Sequence, residues 1–250
     1  MKYLGIKPNK PRIGVFDFTC CEGCELQLAN KEETLVDFLT AIEIISFREV
    51  TTSHSDDYDI ALIEGCVSRE DEIERLKKIR QNAKVLVAFG TCAVYGGVNK
   101  LKNAMTMDEA NRIVYGDSPK KTIPARAIKD VVQVDLAIPG CPVNKAEVER
   151  VVQYLVSEIP FKFPVYPVCV ECKQRSNVCL FEKGALCLGP ITRAGCNAPC
   201  PTGGLGCWGC RGAAEDPNYQ EYFKIAKSMG FSDQEISERL NFFGGFEGVR

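Results

Sequence analysis

Histidine is almost absent from this chain. The single imidazole, His54, lies among Thr, Ser and Asp residues in Thr51–Asp57 and reads as a solvated loop residue, not a metal ligand. An excess of one charge is absent too. The 31 basic and 33 acidic residues leave a formal net charge of −2, so nothing points to nucleic acid or an anionic membrane as a partner. No window approaches the run of about 18 apolar residues that a membrane-crossing helix needs. Residues 1–12 carry basic side chains with no apolar stretch behind them long enough for an export signal. The expected location is the cytoplasm. There is no low-complexity tract, and no internal repeat apart from one doubled cysteine pattern.

What the chain has in quantity is cysteine, 14 residues in 250. Disulfides are rare in a reducing compartment, so these thiols are expected to act as metal ligands. A secreted disulfide framework is disfavoured by the chain length and the missing export signal. Twelve of the cysteines fall into three sets of four: Cys21, Cys24, Cys92 and Cys141, dispersed; then Cys169, Cys172, Cys179 and Cys187; then Cys196, Cys200, Cys207 and Cys210. Thiolates in fours bind zinc or iron–sulfur clusters.

The first part of the chain, 1–158, alternates between two periodicities. Strands are expected over Arg12–Phe18, Ile44–Val50, Asp59–Gly65, Lys84–Phe89 and Val131–Ile138, and helices over Leu26–Ile42, Glu70–Gln81 and Lys145–Ser157. This alternation predicts an α/β fold, a parallel sheet with helices on its faces. The charge run Arg69–Arg80 then reads as the exposed face of a helix. Cys20, Cys21 and Cys24 follow the first strand, Cys66 the third, Cys92 the fourth and Cys141 the fifth. Ligands of open α/β sheets bind outside the carboxyl ends of the strands, so these distant residues are expected to meet along one edge around a cofactor.

Three prolines in Ile159–Pro167 mark an expected boundary, giving domains 1–158 and 159–250. The segment Cys169–Arg211 is rich in Cys, Gly and Pro and lacks periodicity. Its order is expected to come from metal coordination. Asp216–Phe243 reads as two helical pieces broken at Gly230, with Ser232 and Glu235 as a capping box for the second.

Several details favour iron–sulfur clusters over zinc. Zinc sites usually pair two CxxC knuckles, whereas the dispersed set has one pair and two lone ligands, in Gly90-Thr91-Cys92-Ala93 and Pro139-Gly140-Cys141-Pro142. Glycine lets backbone approach an inorganic cluster closely. Proline after cysteine stiffens the loop, a feature of ferredoxin ligand runs that Cys200-Pro201 repeats. Gly203-Gly204-Leu205-Gly206 does not link a strand to a helix and is a poor phosphate loop. Trp208, inside Cys207-Trp-Gly-Cys210, is expected to shield a cluster from water.

Cys21-Glu22-Gly23-Cys24, Gly90-Thr91-Cys92-Ala93, Pro139-Gly140-Cys141-Pro142 and the carboxyl-terminal cysteines together resemble the small subunit of nickel–iron hydrogenases, in order and spacing along nearly the whole chain. The resemblance implies a flavodoxin-like first domain and a small, irregular iron–sulfur domain with short helices. It implies that Cys21, Cys24, Cys92 and Cys141 hold a proximal 4Fe–4S cluster. Cys169, Cys172, Cys179 and Cys187 would hold a distal cluster, and Cys196, Cys200, Cys207 and Cys210 a medial one. The nickel–iron centre would belong to a separate large subunit, and this chain alone would be inactive. Exported members usually place a histidine where Cys169 stands, often lack a counterpart of Cys200, and carry a twin-arginine signal. These departures imply a cytosolic hydrogenase whose electrons go to an iron–sulfur or flavin diaphorase-type subunit. Glu22, between two proximal ligands, is a candidate proton relay, with an ordinary interface carboxylate as the alternative. Cys20 and Cys66 read as inert buried thiols. The alternatives are a cluster-bearing subunit of a complex I-like oxidoreductase, which has adjacent cysteines but lacks the carboxyl-terminal quartets, and a zinc-stabilised scaffold with no redox role.

Overall fold

The computed structural model describes residues 10–30, 40, 42–157 and 159–249. The chain divides into two compact units, 1–161 and 162–250.

The first unit is built on five parallel strands in the order β2-β1-β3-β4-β5. They are β1 (Arg12–Asp17), β2 (Glu43–Phe47), β3 (Ile60–Glu64), β4 (Val85–Phe89) and β5 (Leu136–Ile138). Every residue of β3 and β4 is buried, which explains why both read as continuous apolar runs: a parallel sheet is covered on both faces. Helix α1 (Gly23–Ala29) follows β1, and α2 (Glu70–Asn82) links β3 to β4. Leu76 and Ile79 of α2 pack with Phe18, Ile63 and Leu86 in one apolar cluster. Charged side chains fix the strand starts. The Asp59 carboxylate accepts from the Arg12 amide at 3.0 Å and the Lys84 ammonium at 2.8 Å, joining the origins of β1, β3 and β4.

Two expectations are corrected here. The helix expected over Leu26–Ile42 is not continuous. Helix α1 begins at Gly23 and ends at Ala29, where Asn30 leaves helical geometry; residues 31–39 and 41 lie outside the described residues. The strand expected over Val131–Ile138 is reduced to Leu136–Ile138. Val131, Val132 and Val134 still pack on the apolar cluster, but the amides of Val131 and Val132 both return to the Ile128 carbonyl in a tight turn. Apolar side chains found a core there without joining a ladder.

The second unit has no sheet among the described residues, only bridges at Pro167–Arg193 and Thr192–Ala213. Its helices, after the first unit's α3 (Thr91–Tyr95), α4 (Met107–Tyr115) and α5 (Lys145–Val156), are α6 (Val168–Gln174), α7 (Pro199–Thr202), α8 (Tyr219–Ser228) and α9 (Asp233–Asn241). The Ser232–Glu235 capping box opens α9, the Glu235 amide donating to the Ser232 hydroxyl at 3.2 Å and the Ser232 amide to the Glu235 carboxylate at 2.8 Å. Leu180, Phe181, Leu186, Leu188 and Ile191 form one core with Tyr222, Ala226, Ile236 and Leu240 of α8 and α9. The cysteine-rich segment thus depends on the two terminal helices for its apolar burial as well as on its thiols.

Candidate metal centres

Cys21 and Cys24 stand where β1 leads into α1, Cys92 in α3 after β4, and Cys141 after β5. Parallel strands bring the three carboxyl ends that carry these four cysteines to one edge, and the thiols there feel one another. Burial pushes Cys92 up to about 12, with added repulsion from Cys66, Cys141 and Cys21. Burial likewise raises Cys141, followed by Cys21, and it raises Cys24, with Glu64 next and Cys141 contributing. Gly90 fits its place because a side chain would collide: a Cβ would meet the Cys24 sulfur at 2.5 Å, and φ is +91°. Asn99 points its amide at the Cys92 sulfur at 3.7 Å and at the Thr19 carbonyl at 3.2 Å.

Two buried carboxylates adjoin this edge. Glu64, the last residue of β3, accepts the amides of Cys24 at 3.1 Å and Glu25 at 2.7 Å, capping the first turn of α1. Glu25 is 1% exposed, and its Oε1 has no donor among the described residues. Burial first, then Glu64 and Asp17, push Glu25 up to about 8. Both were missed in the sequence. Glu64 left a signal, a carboxylate closing an otherwise apolar strand. Glu22 instead faces Arg48, with Oε1 2.6 Å from the guanidinium, and is part-exposed.

Cys20 and Cys66 flank the same edge. Cys66 is fully buried, and burial followed by the Glu72 charge pushes it up to about 12. Thr19 and Cys66 form an antiparallel bridge.

In the second unit, Cys169 and Cys172 are in α6, with Cys179 and Cys187 in the following loop. Burial raises Cys169 to about 12, with Cys187, Cys172 and Cys179 adding repulsion. A Cβ on Gly189 would sit 3.3 Å from both the Cys169 and Cys187 sulfurs. In the remaining set Cys196 lies in electrostatic range of Cys200, and Cys207 of Cys187 and Cys210. The Cys207 amide donates to the Cys187 sulfur at 3.2 Å. The Cys196 loop passes through left-handed geometry at Asn197 (φ 63°) and Ala198 (φ 49°), a conformation costing of order 1 kcal/mol or more at alanine. Glu171 of α6 holds it, accepting from the Gly195 and Asn197 amides, each at 2.8 Å.

Among the described residues, no three His, Cys, Asp or Glu side chains are gathered closely enough to chelate a single metal ion. The fit to a cluster rests on the donor chemistry. Desolvation and mutual repulsion both oppose ionisation of the more enclosed thiols, among them Cys24, Cys92 and Cys169, whereas Cys21 and Cys141 are exposed. Iron would supply positive charge that stabilises such thiolates, and soft sulfur donors suit it. Glycines stand where other side chains would crowd the sulfurs.

The profile of the family described as NADH ubiquinone oxidoreductase, 20 Kd subunit, matches residues 21–155. The sulfhydrogenase 2 delta subunit of Pyrococcus furiosus is 40% identical over 237 residues, covering 93% of this chain and 98% of that protein. An F420-non-reducing hydrogenase (vhu) subunit of Methanocaldococcus jannaschii is 32% identical, covering 82% of each. Among solved structures, a chain of the Dm. baculatum [NiFeSe]-hydrogenase superposes with a TM-score of 0.58 at 16% identity, covering 95% of this chain and 99% of that one, a likeness of fold.

Proposed function

This chain belongs to the NADH ubiquinone oxidoreductase 20 Kd subunit family, among its hydrogenase small-subunit members, and from that premise we propose that it conducts electrons within a cytosolic nickel–iron hydrogenase. Its partners are a large subunit that holds the nickel–iron centre and an iron–sulfur or flavin diaphorase-type subunit. The observation that carries the reading is the convergence of Cys21, Cys24, Cys92 and Cys141 on one sheet edge, followed by two further cysteine quartets in a unit of their own. The family profile stops at residue 155, whereas the likeness to the sulfhydrogenase delta subunit runs over 93% of the chain. That difference favours a hydrogenase over a complex I-like subunit.

A 4Fe–4S cluster at each set would supply one-electron transfer. Cys21, Cys24, Cys92 and Cys141 would hold the proximal group, Cys169, Cys172, Cys179 and Cys187 the distal, and Cys196, Cys200, Cys207 and Cys210 the medial. The chain's own work is to supply the thiolates and fix the loops. Glu64 fixes the first ligand loop through the Cys24 and Glu25 amides, and Glu171 fixes the Cys196 loop. Glu22, paired with Arg48, is retained as a candidate proton relay; Glu22→Gln keeps its shape and removes its titration, separating a relay from an interface contact.

The test is spectroscopic. Hydrogen added to the intact anaerobic complex is expected to produce paramagnetic signals of reduced clusters that vanish in a Cys92→Ser variant of this chain. Clusters in this chain that stay oxidised under hydrogen, in a complex whose large subunit is active, would overturn the reading.

A further inference from the structure

Arg211 is the one fully buried arginine among the described residues, 0% exposed, and it directly follows the ligand candidate Cys210. A guanidinium is always charged and expensive to bury without a counter-charge. Its placement is fixed by backbone. The Arg193 amide donates to Gly212 at 3.0 Å, a bridge pairs Thr192 with Ala213, and the Arg211 Nε donates to the Ala194 carbonyl at 2.9 Å. These bonds press the 209–213 turn against 192–196, so the buried charge lies between the last CxxC and Cys196. An opposite charge also adjoins Cys196: the Glu171 Oε2 is 3.9 Å from its sulfur.

We propose that Arg211 sets the reduction potential of the group held by Cys196, Cys200, Cys207 and Cys210, raising it above that of the neighbouring set, with Glu171 opposing it. The inference rests on the reading that these eight cysteines hold clusters. Taking up one electron adds a unit of negative charge among four thiolates, and fixed positive charge nearby favours that state. Low local dielectric and the exclusion of water make the effect large. The Cys169 set has a cation of its own, the half-buried Arg239, which donates to the Leu186 carbonyl beside Cys187 at 3.1 Å, but no fully buried arginine among the described residues; the wetter Arg239 is screened more strongly than Arg211. The two quartets, alike in ligands, therefore differ in potential, and electrons gather on the one beside Arg211. Arg211 is a positioning residue for charge; it is not a ligand.

The experiment is a redox titration of the intact complex followed by paramagnetic resonance, comparing parent, R211Q, R211K and E171Q. Iron content and spectrum of the parent come first; a parent without cluster signals defeats the functional reading, not this inference. R211Q is expected to lower one midpoint by about a tenfold change in the reduction equilibrium, about 59 mV for one electron, and to leave the others in place. R211K is expected to stay near the parent. E171Q is expected to move the same midpoint the opposite way, and it decides the matter alone should R211Q lose iron from that set. Unchanged midpoints in a loaded R211Q, equal shifts in R211Q and R211K, or no rise in E171Q would overturn it.

Discussion

In residues 10–161 the cysteines follow the carboxyl ends of a sheet with an apolar core of its own, Cys24 and Cys66 buried and Cys21 and Cys141 exposed, whereas in residues 162–249 Cys172, Cys187 and Cys207 are part of the core. The cluster of Ile63, Leu76, Leu86 and their neighbours contains no cysteine. The second unit's cluster includes Cys172, Cys187 and Cys207 beside Leu188, Ile191 and Ile236. One ligand chemistry is thus mounted in two ways. A sheet can present thiols and keep its fold without metal, because ladder bonds and apolar burial already order it. An irregular segment held by turns and isolated bridges, with no ladder to order it, is expected to lean on metal to complete its core.

The largest expected effect follows directly. Cys187→Ser should unfold the second unit locally and spare the first. Measured by hydrogen exchange, amides in 168–213 should lose protection several-hundredfold, equivalent to about 3–4 kcal/mol, while β3 and β4 amides stay protected. Equal protection in both units, with iron lost, would break the comparison.

Next comes the complementary substitution. Cys21→Ser or Cys92→Ser should remove about four irons and nearly all hydrogen turnover, with the sheet intact by circular dichroism and the second unit still loaded. Cys20→Ser should keep its iron. Cys66→Ser should also keep its iron, and cost about 1–3 kcal/mol for a buried hydroxyl. Loss of the cluster in Cys20→Ser with Cys21→Ser tolerated would reassign the ligand. A subtler change sharpens the second unit: Cys200→Ala should leave three thiolates and convert one cluster to 3Fe–4S, visible as a new paramagnetic signal in oxidised protein. An unchanged spectrum with full iron would move the fourth ligand elsewhere.

The smallest effect concerns the sheet alone. Burial by itself would raise Asp59, but the Lys84 ammonium and the Arg12 amide outweigh it and hold the carboxyl below its ordinary range. A carboxyl depressed on folding stabilises above its unfolded value, about 3.9, and that contribution is lost as pH falls through the folded value. Asp59→Asn should cost about 1–2 kcal/mol near neutrality and flatten the acid limb of the first unit's stability, as read by chemical denaturation between pH 3 and pH 7.

The contrast also decides what could be read from the sequence. Strands β1, β3 and β4 were legible because a doubly covered sheet writes itself as unbroken apolar runs, and α2 because its charged face repeats at helical spacing. Ser232 and Glu235 disclosed a helix start because a capping box is local. Val131–Val134 misled because apolar character records burial, not ladder pairing. The candidate ligand cysteines are visible through their type and spacing, but the residues that hold their loops are not. Glu171 reaches the Cys196 loop across 24 positions, and Arg211 is hidden in a turn that docks through backbone carbonyls. Such roles depend on tertiary approach, which no local pattern encodes.

On the proposed reading, twelve cysteines in two scaffolds hold three iron–sulfur clusters. Metal analysis of the anaerobically purified, intact complex, with large-subunit and partner iron subtracted by comparison with a complex lacking this chain, tests it most directly. About twelve irons are expected for this chain, four per cluster, with a broad brown absorption that bleaches under hydrogen. Zinc in stoichiometric amount with negligible iron, in colourless protein, would contradict it.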